Sequence, residues 1–499
     1  MGRILAELPE TLDATYERIL QEIPKSNQVH AHRLLQCLTV AVRPLLVKEL
    51  AEILAVDFGA SDGIPKLNEA LRWEDQEQAV LSACSSLIAV IMDENDSRVV
   101  QFSHFSVKEF LTSDRLATSK MDASRYHHIP LEPAHTIMAQ ACLSVLLRLD
   151  PHIDVTSIEA FPLAEYAGEH FGDHAEFESV LSHIWDEVDH LLDANKSHYA
   201  VWFWLCRGGW RNLTTRQSPD VTPLYFVAKH GYRGLVNYLI SKRPAEMNVR
   251  GSYGTPLHAA LRERHVDVAQ LLLGHHVDVD VWDHNGNTPL HLAVNRGLLS
   301  VTHTLVEHNA DINMRNDSGD TPLHRTVNGW YLKSEKTQDE SLDVLRFLLE
   351  HGADPDAKSD ENLSPLHQAA YYGSAKGAQL MLEHGANIHA RTGEGHTPLH
   401  RALTSLDSTM SALDMFLDTI RCLLAHGADV DALDDNHATP LHVTSYWGCV
   451  EGARILLEHG ANVHLEDNKG RTPFQVASEQ DNTEIMQLLL EHLQSQQTV

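Results

Sequence analysis

From about Thr222 to the end of the chain, apolar and polar positions recur with one period. Thr or Ser, then Pro, then an apolar residue stands at eight places, with Pro223, Pro256, Pro289, Pro322, Pro365, Pro398, Pro440 and Pro473 at their centres. The successive intervals are 33, 33, 33, 43, 33, 42 and 33 residues, a fixed period that marks stacked supersecondary units. Ser364-Pro365-Leu366-His367-Gln368-Ala369-Ala370-Tyr371-Tyr372-Gly373, followed by Leu382-Glu383-His384-Gly385-Ala386-Asn387, predicts two short helices per unit. The hydroxyl caps the first helix, and proline follows where its missing N–H costs nothing. Small Ala residues admit the neighbouring layer, and the Leu pairs of the second helix fill the seam between layers. Gly352, Gly385, Gly427 and Gly460 are expected to end the second helix in the left-handed conformation, with Asn309 an acceptable replacement and His276 a poorer one. The two long intervals place extra residues, Gly329 to Asp339 and about Leu403 to Met415, in loops between paired helices, where recognition is often carried.

Residues 1–220 lack this period. Leu8-Pro9-Glu10-Thr11-Leu12-Asp13 opens a helix through Leu20, with Tyr16, Ile19 and Ile23 on one face. His32 to Val42 and Leu46 to Leu54 read as helices broken at Pro44; Ala79 to Met92 and Arg98 to Phe105 read as strands around the polar turn Asp93 to Asp96. Beyond Asp114 the pattern is helical again to about Leu205, including Pro162-Leu163-Ala164-Glu165-Tyr166-Ala167. Helices followed by a hairpin is winged-helix order.

The periodic half resembles the ankyrin repeat, which carries Thr-Pro-Leu-His at this period. The match is complete at Thr255 to His258, Thr288 to His291, Thr321 to His324, Thr397 to His400 and Thr439 to His442. The first unit (Thr222-Pro223-Leu224-Tyr225) and the last (Thr472-Pro473-Phe474-Gln475) depart from it, as capping repeats do. The other half is similar to the region after the nucleotide-binding domain of fungal NACHT-type signalling ATPases of the STAND class. That likeness rests on Leu8-Pro9-x-Thr11-Leu12-Asp13-x-Thr15-Tyr16-Glu17, on Cys84-Ser85-Ser86-Leu87-Ile88, and on Val100 to Leu111. It implies a winged-helix segment that packs on a nucleotide-binding domain, and repeats that sense a ligand. The expected fold is mainly α: 1–25 the tail of a NACHT-type module, 26–115 a winged-helix domain with a small β-hairpin, 116–205 a helical connector, and 206–495 an ankyrin-repeat α-solenoid of about eight repeats. Residues from about 222 onward are expected to fold without the N-terminal half, because each repeat touches only its neighbours. No Gly-x-x-x-x-Gly-Lys-Ser/Thr occurs, so the phosphate cradle is missing and ATP hydrolysis is not expected.

Charge narrows the partners. The chain carries 39 Lys and Arg against 69 Asp and Glu, a net charge of −30, and both 1–220 and 221–499 come to −15. Phosphate backbones and anionic membranes are repelled by such a surface, which points to a protein partner and not to nucleic acid or membrane. A separate NACHT/STAND nucleotide-binding protein is the partner that the resemblance suggests. Six scattered cysteines fit a reduced, cytoplasmic setting. No apolar run reaches the roughly 20 residues needed to cross a bilayer, and Ala6 stands where a myristoylation site needs Ser or Thr.

No catalytic, cofactor or metal site is expected. Gly59-Ala60-Ser61-Asp62-Gly63 matches the nucleophile-elbow spacing but lies in a polar loop after a helix, where it reads as a plain turn. Of the 34 histidines, six occupy the Thr-Pro-Leu-His position and six more close the second helices, a structural role at the negative end of the dipole. His170 and His174 have helical spacing but no Glu between them suited to a metal site. Residues 45–58 hold one Lys48 against Glu49, Glu52 and Asp57, a poor DNA-reading helix. The partner-binding candidates are aromatic and cationic. Tyr371-Tyr372 and Tyr446-Trp447 stand at the variable positions before the repeat glycine, which ankyrin proteins turn into a concave groove. Trp330, Trp282, Arg262 and Arg296 complete the set.

Overall fold

The computed structural model describes residues 12–59, 65–72, 75–84, 86–118, 126–149, 158–193, 197–207, 220–251, 253–328, 334–404 and 413–497. The Leu8-Pro9 motif, most of the Gly59 to Gly63 turn, Ser85, the inserted 329–333 with Trp330, and the inserted 405–412 lie outside the described residues. Two compact units divide the chain, Met1–Glu246 and Met247–Val499.

In the first unit, strands β1 (Leu45–Leu46), β2 (Val56–Asp57), β3 (Lys66–Leu67), β4 (Ile88–Met92) and β5 (Arg98–Phe102) form two antiparallel sheets. The larger has the order β1-β5-β4, with Val100 opposite Leu45 on one side and Val90 on the other. Its hairpin turns at the expected place: the Asp93 carboxylate accepts the N–H groups of Asn95 and Ser97 at 2.9 and 2.7 Å. Helices α2 (Gln28–Val40), α3 (Val47–Leu54) and α5 (Phe105–Leu111) pack against it, with α4 (Gln76–Cys84) on α2 and α3 and α1 (Leu12–Glu22) on α5. The strand expected over Ala79 to Met92 begins only at Ile88. Asp75 caps a helix there instead, its carboxylate accepting the Gln78 N–H at 2.9 Å and its carbonyl the Ala79 N–H at 3.1 Å. The second strand stops at Phe102 because His104 caps α5.

Helix α3 is buried except at Lys48. Its acidic residues, Glu49 and Glu52, point inward into ion pairs. Glu49 accepts both guanidinium arms of Arg43 at 2.9 and 2.7 Å and the Leu46 N–H at 2.7 Å. Glu52 accepts Arg72 at 2.5 Å and the Leu163 N–H at 2.7 Å. Removing either arginine would strand a buried carboxylate.

Beyond the sheet, helices Leu131–Leu146, Ala164–His174, Trp185–Leu192 and Ser197–Cys206 lead to the first repeat, Pro223–His230 and Arg233–Lys242. That repeat belongs to this unit through an aromatic seam. Trp202 is fully buried, meets Phe171 and Phe226 edge-on at 5.5 and 4.8 Å, and donates its indole N–H to the Gly168 carbonyl at 3.0 Å. Trp185 stacks on Tyr238 at 4.3 Å, and Arg243 donates to the Leu192 carbonyl at 2.6 Å and to Asp189 at 3.1 Å. Gly172 lies directly under the Tyr232 ring, where a Cβ would sit 2.1 Å from a ring carbon. The flanking histidines turn to different partners: His170 to Asp173 at 3.0 Å, and His174 to Tyr166 at 2.9 Å and His135 at 3.0 Å.

The second unit stacks seven helix pairs, their first helices starting at Pro256, Pro289, Pro322, Pro365, Pro398, Pro440 and Pro473. Gly352, Gly385, Gly427 and Gly460 take φ values of 91°, 89°, 87° and 86°, and Asn309 and His276 take 64° and 60°, so the first six of these pairs close their second helix through a left-handed residue.

Two outcomes follow from the aromatic seam. Gly172→Ala should lower the melting temperature of the full chain, at a cost of about 1–3 kcal/mol for overpacking; an unchanged melt by circular dichroism would refute the close approach. Because the first repeat packs within the first unit, we expect 247–499 to melt cooperatively on its own, and 222–499 to bind more of a hydrophobic dye through its uncovered Phe226 and Tyr238.

Candidate functional site

Each recognition position is held by what happens at the other end of its helix. In six units the N-cap Thr or Ser pairs with the histidine three residues on. At Thr255 the backbone N–H donates to Nδ1 of His258 at 3.2 Å, and the hydroxyl lies 2.8 Å from the same nitrogen. With Nδ1 accepting, the ring proton sits on Nε2, which donates to the carbonyl of Asn287 in the next loop at 3.0 Å. His291, His324, His367, His400 and His442 repeat the bridge, to the carbonyls of Asp320, Leu363, His396, Ala438 and Arg471 at 2.9–3.1 Å. Both ring nitrogens are used only while the imidazole is neutral. Burial pushes the pKa of His258, His291, His367 and His400 down to about 4 and that of His324 and His442 in the same direction. In the last unit Gln475 takes this place, accepting the Thr472 N–H at 2.8 Å. Five of the six histidines that close the second helices bond the carbonyl four residues earlier, as His351, His384 and His459 do at 2.8–2.9 Å.

The loops that receive these bridges are stitched together. The Asp283 and Asp434 carboxylates each accept two backbone N–H groups of their own turn, and the tips join by backbone bonds from Asp360 to Ser318, Gly393 to Glu361 and Asp435 to Glu394 at 3.0–3.1 Å.

On this frame the candidates separate. Tyr371 ends the helix Pro365–Tyr371 and Tyr372 caps it; both are half-buried and meet edge-on at 5.1 Å. The Arg401 guanidinium of the next unit lies over the Tyr371 ring at 4.6 Å. Tyr446 and Trp447 end Pro440–Trp447, again edge-on at 5.1 Å, and are 49% and 47% exposed. Gly448 behind them has a φ of 79° and a site where a Cβ would meet Asn482 at 2.9 Å, so no other residue turns the chain there without strain. Asn482 in turn donates to the Ser445 and Tyr446 carbonyls at 2.8 and 3.2 Å. Trp282 is 53% exposed with Arg250 over its ring at 5.3 Å. Arg262 is engaged within the fold: it pairs with buried Asp283 at 2.5 Å and donates to the Tyr253 carbonyl. Arg296 is exposed, and Trp330 lies outside the described residues. The two aromatic pairs are in separate layers, with the Pro398–Thr404 unit between them. Sequence reading missed Arg401 and Arg250, whose partners are 30 and 32 residues away; only the recurrence of Arg at the position after the motif histidine, in Arg325 and Arg401, hinted at the first. Among the described residues no group of three metal-ligating side chains could hold an ion, and no helix is long and apolar enough to cross a membrane.

A stack of capped helix pairs joined loop to loop, with variable residues displayed at the helix ends, is a repeat solenoid built for recognition. Ankyrin-repeat family models match 191–283, 275–358 and 409–498 in three copies, and a second such model matches 341–402. The chain therefore belongs to the ankyrin-repeat family. The model of the GPI inositol-deacylase winged helix domain matches residues 16–121, so a winged-helix region precedes the repeats in the expected order. A curated relative, azaphilone pigments biosynthesis cluster protein L of Monascus ruber, is 29% identical over 296 residues, covering 55% of this chain and 61% of that protein. The chain thus spans less than two thirds of that relative's length.

The histidine bridges make acid a selective stress. Folded values near 4 against an unfolded value near 6.5 leave the unfolded chain binding more protons at intermediate pH. Stability should be full above about pH 6.5 and fall as pH drops toward 4, already measurable between about pH 7 and 5.5, before carboxylates titrate. A melting temperature flat across that upper window would show that these histidines do not bridge as neutral rings.

Proposed function

We propose that this protein is a non-catalytic interaction scaffold whose solenoid binds a partner protein on the helix-end surface of units five to seven, while the winged-helix region regulates that contact. The observation that carries the reading is the pair Tyr446 and Trp447, two large rings about half exposed on a rigid, glycine-terminated helix end. Aromatic anchors of this kind dominate binding energy at protein interfaces. Two layers of helices at roughly 8–10 Å each put the Tyr371 and Tyr446 pairs about 20 Å apart, a span that one partner helix or strand covers. A second reading, favoured by the winged-helix match ahead of the repeats, has the chain sensing a ligand on behalf of a separate nucleotide-binding protein of the STAND class.

The test is a photo-crosslinking amino acid at position 372 or 447 of the full chain, with captured proteins identified by mass spectrometry. For a partner so found, Tyr372→Ala with Trp447→Ala should weaken binding by more than about 2 kcal/mol in total with the fold intact. Unchanged affinity and an unchanged melt would remove this surface from the function. Loss of folding would assign the rings to the core.

A further inference from the structure

Two rings of the solenoid, half-buried Tyr371 and exposed Trp282, already carry a cation. Arg401 lies over Tyr371 at 4.6 Å and Arg250 over Trp282 at 5.3 Å. Tyr446 and Trp447, among the described residues, have only each other as ring partners. Both residues are about half exposed, which leaves ring surface for the interaction that the molecule uses elsewhere, the attraction of a guanidinium or ammonium to the negative face of an aromatic ring.

The surroundings favour the same kind of ligand. The two bonds from Asn482 to the Ser445 and Tyr446 carbonyls seat the turn that carries exposed Asp481 against this helix end. Glu451 follows on the next helix and is also exposed. The loop tips joined by backbone bonds display Asp317, Glu361 and Glu394, all exposed, together with Asp360 and Asp435, which pair with Arg315 and Arg391. Across residues 247–499 there are 17 Lys and Arg against 35 Asp and Glu, a net charge of −18. A second copy of this unit, an acidic protein or a nucleic acid would be repelled from such a surface, whereas a basic segment would be drawn to it and held.

We propose that the Tyr446–Trp447 surface takes a cationic segment of its protein partner, with an Arg or Lys side chain against the rings and further basic residues along the acidic loop tips. This rests on the reading of the repeats as a protein-binding surface and specifies the partner's chemistry.

The experiment pans a library of random peptides on the full chain and measures the enriched peptides by fluorescence anisotropy against the wild type, Trp447→Ala, Trp447→Phe and Asp481→Lys. The expected result is peptides enriched in Arg and Lys whose affinity falls at least about tenfold in Trp447→Ala, is kept in Trp447→Phe, falls in Asp481→Lys and weakens with added salt. Circular dichroism of each variant separates lost binding from lost folding, and Trp447→Phe carries the ring test if Trp447→Ala fails to fold. Enriched peptides without net positive charge that still depend on Trp447 overturn the cationic partner and leave the protein-binding surface standing. Basic peptides indifferent to every Trp447 and Asp481 substitution overturn the surface itself, and so does a failure to enrich any peptide over the uncoated support.

Discussion

A neutral imidazole with one nitrogen accepting and the other donating is the joint on which six layers of the solenoid depend. His258 and its equivalents close their own helix through Nδ1 and hold the next loop through Nε2. A hydroxyl cap alone would satisfy one orphan N–H of the helix and end there. The histidine converts that local cap into a contact 29 to 39 residues away, which sets the spacing of the loops and, through them, of the helix ends that carry the variable residues. Protonation removes the acceptor and places an unpaired charge in a buried site, so the same residue that ties the layers also fixes the conditions under which they separate.

Because the layers are held from the capped end, the opposite helix ends are left to vary. Asn295-Arg296, Tyr371-Tyr372 and Tyr446-Trp447 occupy equivalent positions with different chemistry, and none of these changes alters the box at the helix start. A rigid scaffold with independent display positions is what recognition by repeat proteins requires. The display is not uniform, however. Arg262 is drawn into an ion pair with Asp283 and Tyr371 is covered by Arg401, whereas in the seventh unit two half-exposed rings stand together.

The N-terminal unit uses charge where the solenoid uses histidine. Glu49 and Glu52, buried on α3, are tied to Arg43 and Arg72, and Glu52 joins the sheet region to the connector through the Leu163 N–H. Its other end is apolar: Trp202, Phe226 and the Gly172–Tyr232 approach bind the connector to the first repeat. A capping repeat has one face without a repeat neighbour, and here Phe226, Tyr232 and Tyr238 meet the connector's aromatic residues.

The sequence alone determined the repeat, its helix starts, its left-handed helix ends, the hairpin turn at Asp93 to Asp96 and the positions from which side chains are displayed. Each of these is set by bonds that close within three or four residues, so the residues that make them stand together in the chain. The same locality made α4 misread as a strand: the apolar run of Ala79 to Met92 suits either period, and the decision lay with the cap at Asp75. Only the tertiary structure decided which displayed residue is spent inside the molecule and which faces outward. Arg401 over Tyr371, Asp283 under Arg262, Asn482 behind Tyr446 and Trp202 against Phe226 are pairings of residues 21 to 36 positions apart. Such pairings depend on how one layer lies on the next, a relation that no local pattern of residues encodes.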